Sequence, residues 1–149
     1  MKVKAVADKL VKCIKEELSF KDFSITESDK TGMLSIYFKN IGFDGLEVPV
    51  SSIIYLFETN AVLMSFILPK VKEGISLDKI DEVLDTKIFK ISKEHISKMG
   101  ERLVLSSYIP SITLSEDIVD CYLAFCNDLE TSLKDKINLL AQEDLDLEI

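Results

Sequence analysis

Apolar positions crowd together along residues 46–68, LEVPVSSIIYLFETNAVLMSFIL, more densely than anywhere else in the chain. From Leu46 to Val50 they alternate with Glu47 and Pro49, as a half-buried strand requires, whereas Ile53 to Phe57 and Ala61 to Leu68 run almost unbroken. Two successive strands of this kind carry more apolar surface than one sheet face can bury. The pattern therefore predicts that the second face is covered, either by the chain itself or by a partner.

The same periodicities lay out the remaining elements. Val3, Val6, Ala7, Leu10, Val11, Ile14 and Leu18 recur every three or four residues and predict a helix over 2–19 with one apolar stripe. Phe23 and Ile25, then Leu34, Ile36 and Phe38, alternate with polar residues and predict two strands joined by the turn ESDKTG. Asp44-Gly45 leads into a third strand from about Leu46, and Glu58-Thr59-Asn60 separates it from a fourth that stops at Pro69. Pro49 has no amide hydrogen for a ladder, so it belongs at a strand edge or beside an irregularity near Ser51-Ser52.

Ser76 is suited to cap a short helix in which Leu77, Ile80, Val83 and Leu84 share a face. Ile88 to Ile91 reads as a brief strand or irregular segment, KEHISKMG as a polar turn, and ERLVLSSYIP as a strand stopped by Pro110. Thr113 and Glu116 have capping-box spacing. Ile118, Tyr122, Phe125, Leu129, Leu133, Ile137 and Leu140 then step by three or four, giving a helix of about 27 residues and about 40 Å.

The expected class is α+β: helix, four-stranded antiparallel meander, helix, strand, long C-terminal helix, with the helices packed on one face of the sheet. Residues 1–142 read as a single domain, and 143–149, which alternate acid and aliphatic residues, as a mobile acidic tail. A chain of 149 residues can bury a sufficient core without disulfides or metal.

Charge narrows the function classes. A net charge of -8, with Arg102 the only arginine, argues against nucleic acid as a partner, because that affinity comes largely from cations neutralising phosphates. Cys13, Cys121 and Cys126 form an odd set without a CxxC, which favours reduced thiols acting as small hydrophobes. The N-terminus lacks the layout of an export signal, and the longest apolar run is too short to cross a bilayer, so a cytoplasmic location without an integral membrane segment is expected.

Candidate chemistry is sparse. His95 is the only histidine and is expected on the surface of a polar turn, with no triad partner announced. Asp78, Asp81, Glu82 and Asp85 have helical spacing that suits a wet helix face, and the scattered glycines form no phosphate cradle. No catalytic, cofactor-binding or metal-binding residues are assigned, and the chain is read as a non-enzyme.

The order of elements, with the segment LDKIDEVLDTKIFKISKEHISKMGERLVLSSYIPSITLSEDIVDCYLAF, resembles the type III secretion chaperone-like fold superfamily. It looks most like two branches outside secretion: the proposed bacterial sensory-transduction regulators, and an uncharacterised family encoded near phage-shock-type membrane-stress proteins. In those families a strand hairpin, an acidic helix, a strand ending in Pro and a long final helix occur in this order. Here they correspond to Leu46 to Pro69, Ser76 to Asp85, Arg102 to Pro110 and Thr113 to Gln142. The resemblance implies a small acidic cytoplasmic protein, often a homodimer, that binds another protein and catalyses nothing.

The resulting expectation is a non-enzymatic, chaperone-like or adaptor module, homodimeric, with a protein partner. Its proposed contact residues are Ile53, Ile54, Tyr55, Leu56, Phe57, Val62, Met64, Phe66 and Leu68. One alternative is a membrane-stress accessory that binds a membrane-associated partner, using the basic face of the first helix. Another is a small-ligand binder or enzyme with a hidden cleft, for which Tyr37, Tyr55, Tyr108 and Tyr122 are the residues to inspect.

Overall fold

The computed structural model describes residues 3–18, 23–28, 32–112 and 115–147. Strands β1 (Phe23–Ser28), β2 (Met33–Ile41), β3 (Val50–Phe57) and β4 (Val62–Leu68) form the expected antiparallel meander. The sheet does not end there. After the short strand β5 (Lys70–Val71) and helix α2 (Leu77–Leu84), β6 (Lys90–Ile96) and β7 (Gly100–Ile109) form a hairpin. β7 pairs with β4, so the sheet has six strands in the order β1-β2-β3-β4-β7-β6.

Two local expectations are corrected. The third strand begins at Val50, not near Leu46, because residues 42–49 form a loop pinned to the last helix. The Asn138 amide donates to the Gly45 carbonyl at 2.8 Å and its Oδ1 accepts from the Glu47 N–H at 2.8 Å. KEHISKMG is not a turn as a whole: Lys90 to Ile96 is strand, and only Ser97, Lys98 and Met99 make the bend. That strand is an edge whose Lys93, Glu94 and His95 are exposed, so its pairing with β7 leaves little apolar alternation to read.

The irregularity expected beside Pro49 lies on the neighbouring strand. Phe38 pairs with Ser52 and Ile41 with Val50, so β2 accommodates one more residue than β3 over this interval. Along β3 itself the alternation is intact, with Val50, Ser52, Ile54 and Leu56 all buried on the helix side. Ser52 is tolerated there because its hydroxyl accepts from Tyr122 Oη at 2.9 Å and donates to the Ser65 carbonyl at 3.0 Å.

The helices supply the other half of the core. Helix α1 (Val3–Leu18) buries Val6, Ala7, Leu10, Val11 and Ile14, the stripe its periodicity predicts. Helix α2 starts at Ser76, whose side chain accepts from the Lys79 N–H at 3.2 Å, and buries Ile80 and Leu84. The long final helix is α3 (Ser115–Asp128), a π-helical turn over Leu129–Leu133, and α4 (Lys134–Glu143). The expected capping pair includes Thr113, which lies outside the described residues.

The π turn follows from residue spacing. Phe125, Leu129, Leu133 and Ile137 are all buried and each is four residues from the next. At about 100° per residue, each step of four overshoots a full turn by about 40°, so three in a row would carry Ile137 off the buried face of a straight α-helix. A wider turn absorbs the excess. Leu145 and Asp146 do not hang free: they form β8, paired with β5, and Leu145 is 1% exposed. Lys79 Nζ, 3.0 Å from the buried Asp144 carboxylate, ties α2 to this closure.

At the centre of the core Phe66 stacks on Phe125, with ring centroids 4.3 Å apart, and meets Phe43 edge-on at 5.6 Å. Phe89 closes on Phe125 at 4.9 Å. All of this lies on one side of the sheet.

Candidate functional site on the outer face of the sheet

The side chains that alternate with the core set point to the other side. In register across the sheet they form rows: Tyr55, Leu63 and Tyr108; Tyr37, Ile53, Ser65 and Ser106; Ser51, Ile67 and Val104. Ile67 and Val104 are buried but do not belong to the main core cluster. Tyr55, Phe57 and Leu63 are half-buried and Tyr108 is 60% exposed.

The contact residues expected from sequence divide between the two faces. Ile53, Tyr55 and Phe57 are on the outer face. Ile54, Leu56, Val62, Met64, Phe66 and Leu68 are buried under the helices and present no surface, because a two-residue period sends neighbouring residues to opposite sides. Of the tyrosines singled out, Tyr37, Tyr55 and Tyr108 are outward, whereas Tyr122 belongs to the core.

One end of the outer face is concave. The tip of the β6–β7 hairpin curls over it, helped by left-handed backbone at Lys98 (φ 67°) and Gly100 (φ 76°). A groove of about 750 Å³ results. Its floor is Tyr37, Ser51, Ile53, Tyr55 and Ile67, its wall His95, Met99 and Arg102, and Lys39 and Lys98 also line it. The Tyr37 hydroxyl lies 3.3 Å from Ser51 Oγ and 3.6 Å from Met99 Sδ, so its single proton can serve only one of them. Burial raises the Tyr55 hydroxyl above its ordinary pKa, and the nearby Glu94 carboxylate adds to the rise.

Arg102 is the residue that sequence reasoning passed over. It is 6% exposed, and its Nε donates to the Met99 carbonyl at 3.0 Å. No carboxylate among the described residues pairs with it. The signal was available: in ERLVLSSY the apolar Leu103 and Leu105 face the core, which puts Arg102 on the opposite face with Val104. What the pattern could not show was the hairpin tip folding over it. His95 is exposed at the groove, on the edge strand rather than in a turn.

Among the described residues no group of His, Cys, Asp or Glu side chains is arranged to hold a metal, and no helix is long and apolar enough to cross a membrane. No disulfide joins Cys13, Cys121 or Cys126, and Cys126 is buried.

Comparison with known proteins adds a fold. No family model and no curated protein sequence matches the chain. Among solved structures it is similar to YbjN from E. coli, described as a proposed transcription regulator, with a TM-score of 0.52 and 16% sequence identity. The match covers 93% of this chain and 94% of that one. The chain thus shares a YbjN-like α+β fold over nearly its whole length.

Proposed function

We propose that the chain is a non-enzymatic regulatory module that binds protein through the outer face of its sheet, and that its first partner is a second copy of itself. The observation that carries this reading is the unequal covering of the two faces. Helices seal one side, while Tyr55, Phe57, Leu63 and Tyr108 remain partly or largely open on the other. A row of aromatic and aliphatic side chains flanked by small hydroxyls suits a self-complementary contact across a two-fold axis.

Two likenesses support a regulatory role. The fold is that of a protein described as a proposed transcription regulator, and the order of elements resembles the sensory-transduction branch of the secretion-chaperone-like superfamily. Sedimentation equilibrium of the full chain at about 50 μM tests the self-association. A dimer is expected, and replacing Leu63 and Tyr108 together by Glu should yield monomers with an unchanged circular dichroism spectrum. A wild-type chain that stays monomeric, or a dimer indifferent to both changes, would overturn it.

A further inference from the structure

The groove under the hairpin tip is a built site with an unanswered charge, and we infer that it binds a small organic acid whose carboxylate docks on Arg102. This inference goes beyond protein binding and does not depend on it.

A guanidinium brings a fixed positive charge and a planar fork of donors to any site it lines. A buried cation normally sits against an anion, because an unpaired one is strongly disfavoured. Arg102 is 6% exposed and its one hydrogen bond within the protein, to the Met99 carbonyl, uses Nε. Both terminal nitrogens are left without a protein partner among the described residues and are not enclosed, so they open into the groove that the side chain lines. A carboxylate is the planar two-oxygen group that such a fork accepts.

No carboxylate belongs to the groove lining, although Glu94 stands near Tyr55. Lys39 and Lys98 line the same groove in a chain whose net charge is -8. Glu94, opposite Arg102 in the β6–β7 pairing, is exposed, makes no ion pair with it and is not part of the lining. Ile53, Ile67 and Met99 offer apolar contact for the rest of the molecule, and Tyr37 and Tyr55 add rings and hydroxyls. A volume of about 750 Å³ is in the range of small-molecule sites. A single buried cation matches a single negative charge, which favours a carboxylate over a phosphate ester.

Calorimetric titration of the full chain with phenylacetate and octanoate, each beside its neutral amide, tests the assignment. At least one acid should saturate the protein at or below about 10 mM, and its amide should bind at least about tenfold more weakly. Arg102→Gln should weaken that acid about ten- to a hundredfold while the ligand-free protein melts within a few degrees of wild type, since the only bond lost within the protein is the one from Nε to the Met99 carbonyl. Lys98→Glu, on the exposed bend, should weaken it by a smaller factor without touching the core. Three results would overturn the inference. One is equal binding of acid and amide, or of neither. Another is saturation by phenyl phosphate or by a peptide's chain end but by none of the acids. The third is an Arg102→Gln protein that binds as wild type or melts far below it, which would assign the guanidinium to folding. Titration below the concentration at which wild type associates keeps this result separate from the dimer measurement.

Discussion

The two faces of the sheet use the same strands and differ in almost every other respect. On the helix side, Ile36, Phe38, Ile54, Met64 and Phe66 are buried against four helical segments, and the polar exception, Ser52, has both its donor and its acceptor role satisfied. On the outer side the residues one step along are Tyr37, Ser51, Ile53, Ser65 and Ile67, packed against one another and a hairpin tip. The first face is closed over by helices and its large side chains are buried. The second retains a buried arginine with free donors and a row of open aromatic surface, which is what a face that meets other molecules requires.

This contrast can be broken most severely at Phe66. Phe66→Ala removes the ring at the centre of the aromatic cluster and should cost about 3–5 kcal/mol in urea unfolding. Alkaline pH probes the same face by a different route. Burial pushes the Cys126 thiol up to about 12, with the Tyr122 hydrogen bond opposing and Glu130 adding to the rise, and burial also raises the Tyr122 hydroxyl well above its usual value. In the unfolded chain the thiol ionises near 9.0, so between that pH and about 12 the unfolded state holds fewer protons than the folded one. The thiol's contribution to stability is intact below pH 9 and is lost at about 1.4 kcal/mol per pH unit as pH rises through that window. Cys126→Ala should flatten the fall in urea midpoint between about pH 9 and 11. A wild-type midpoint that holds constant there would contradict the dry environment assigned to this thiol.

A smaller effect is expected from Tyr122→Phe, which deletes the hydroxyl that donates to Ser52 and should cost about 1–2 kcal/mol. Tyr108→Ser on the outer face should change the monomer's stability by no more than about 0.5 kcal/mol, because the ring is 60% exposed. Thermal melts of these variants, compared pairwise, sharpen the distinction: similar losses at Tyr122 and Tyr108 would mean that the faces are not as different as their burial indicates.

How far all this could be read from sequence follows the same division. The inward face was legible because apolar alternation in β2 and the three-and-four spacing of α1 and the final helix report burial directly. The outer face was legible only as an excess of apolar residues, and the proposed contact set mixed both sides because Ile53 to Phe57 and Ala61 to Leu68 have no polar residue at every second place. β6 was caught only at its start, in the brief strand or irregular segment read over Ile88 to Ile91, because K-I-S-K-E-H-I owes its strand state to hydrogen bonding with β7 rather than to a buried face of its own. The groove escaped because it depends on the bend at Ser97 to Met99 reaching Tyr37, a contact across 62 positions of sequence. The run of four-residue steps from Phe125 to Ile137 did encode the π turn, although the residues alone read as one uninterrupted helix.

The outermost strand has a bearing on how molecules of this chain can meet. β6 offers an open row of backbone donors and acceptors, yet carries Lys90, Lys93, Glu94 and His95 within seven residues. A stranger's strand laid alongside would have to strip water from those charges, so end-to-end sheet growth into fibres is discouraged on this border. On this border, encounters between copies are diverted from the rim of the sheet to its broad side.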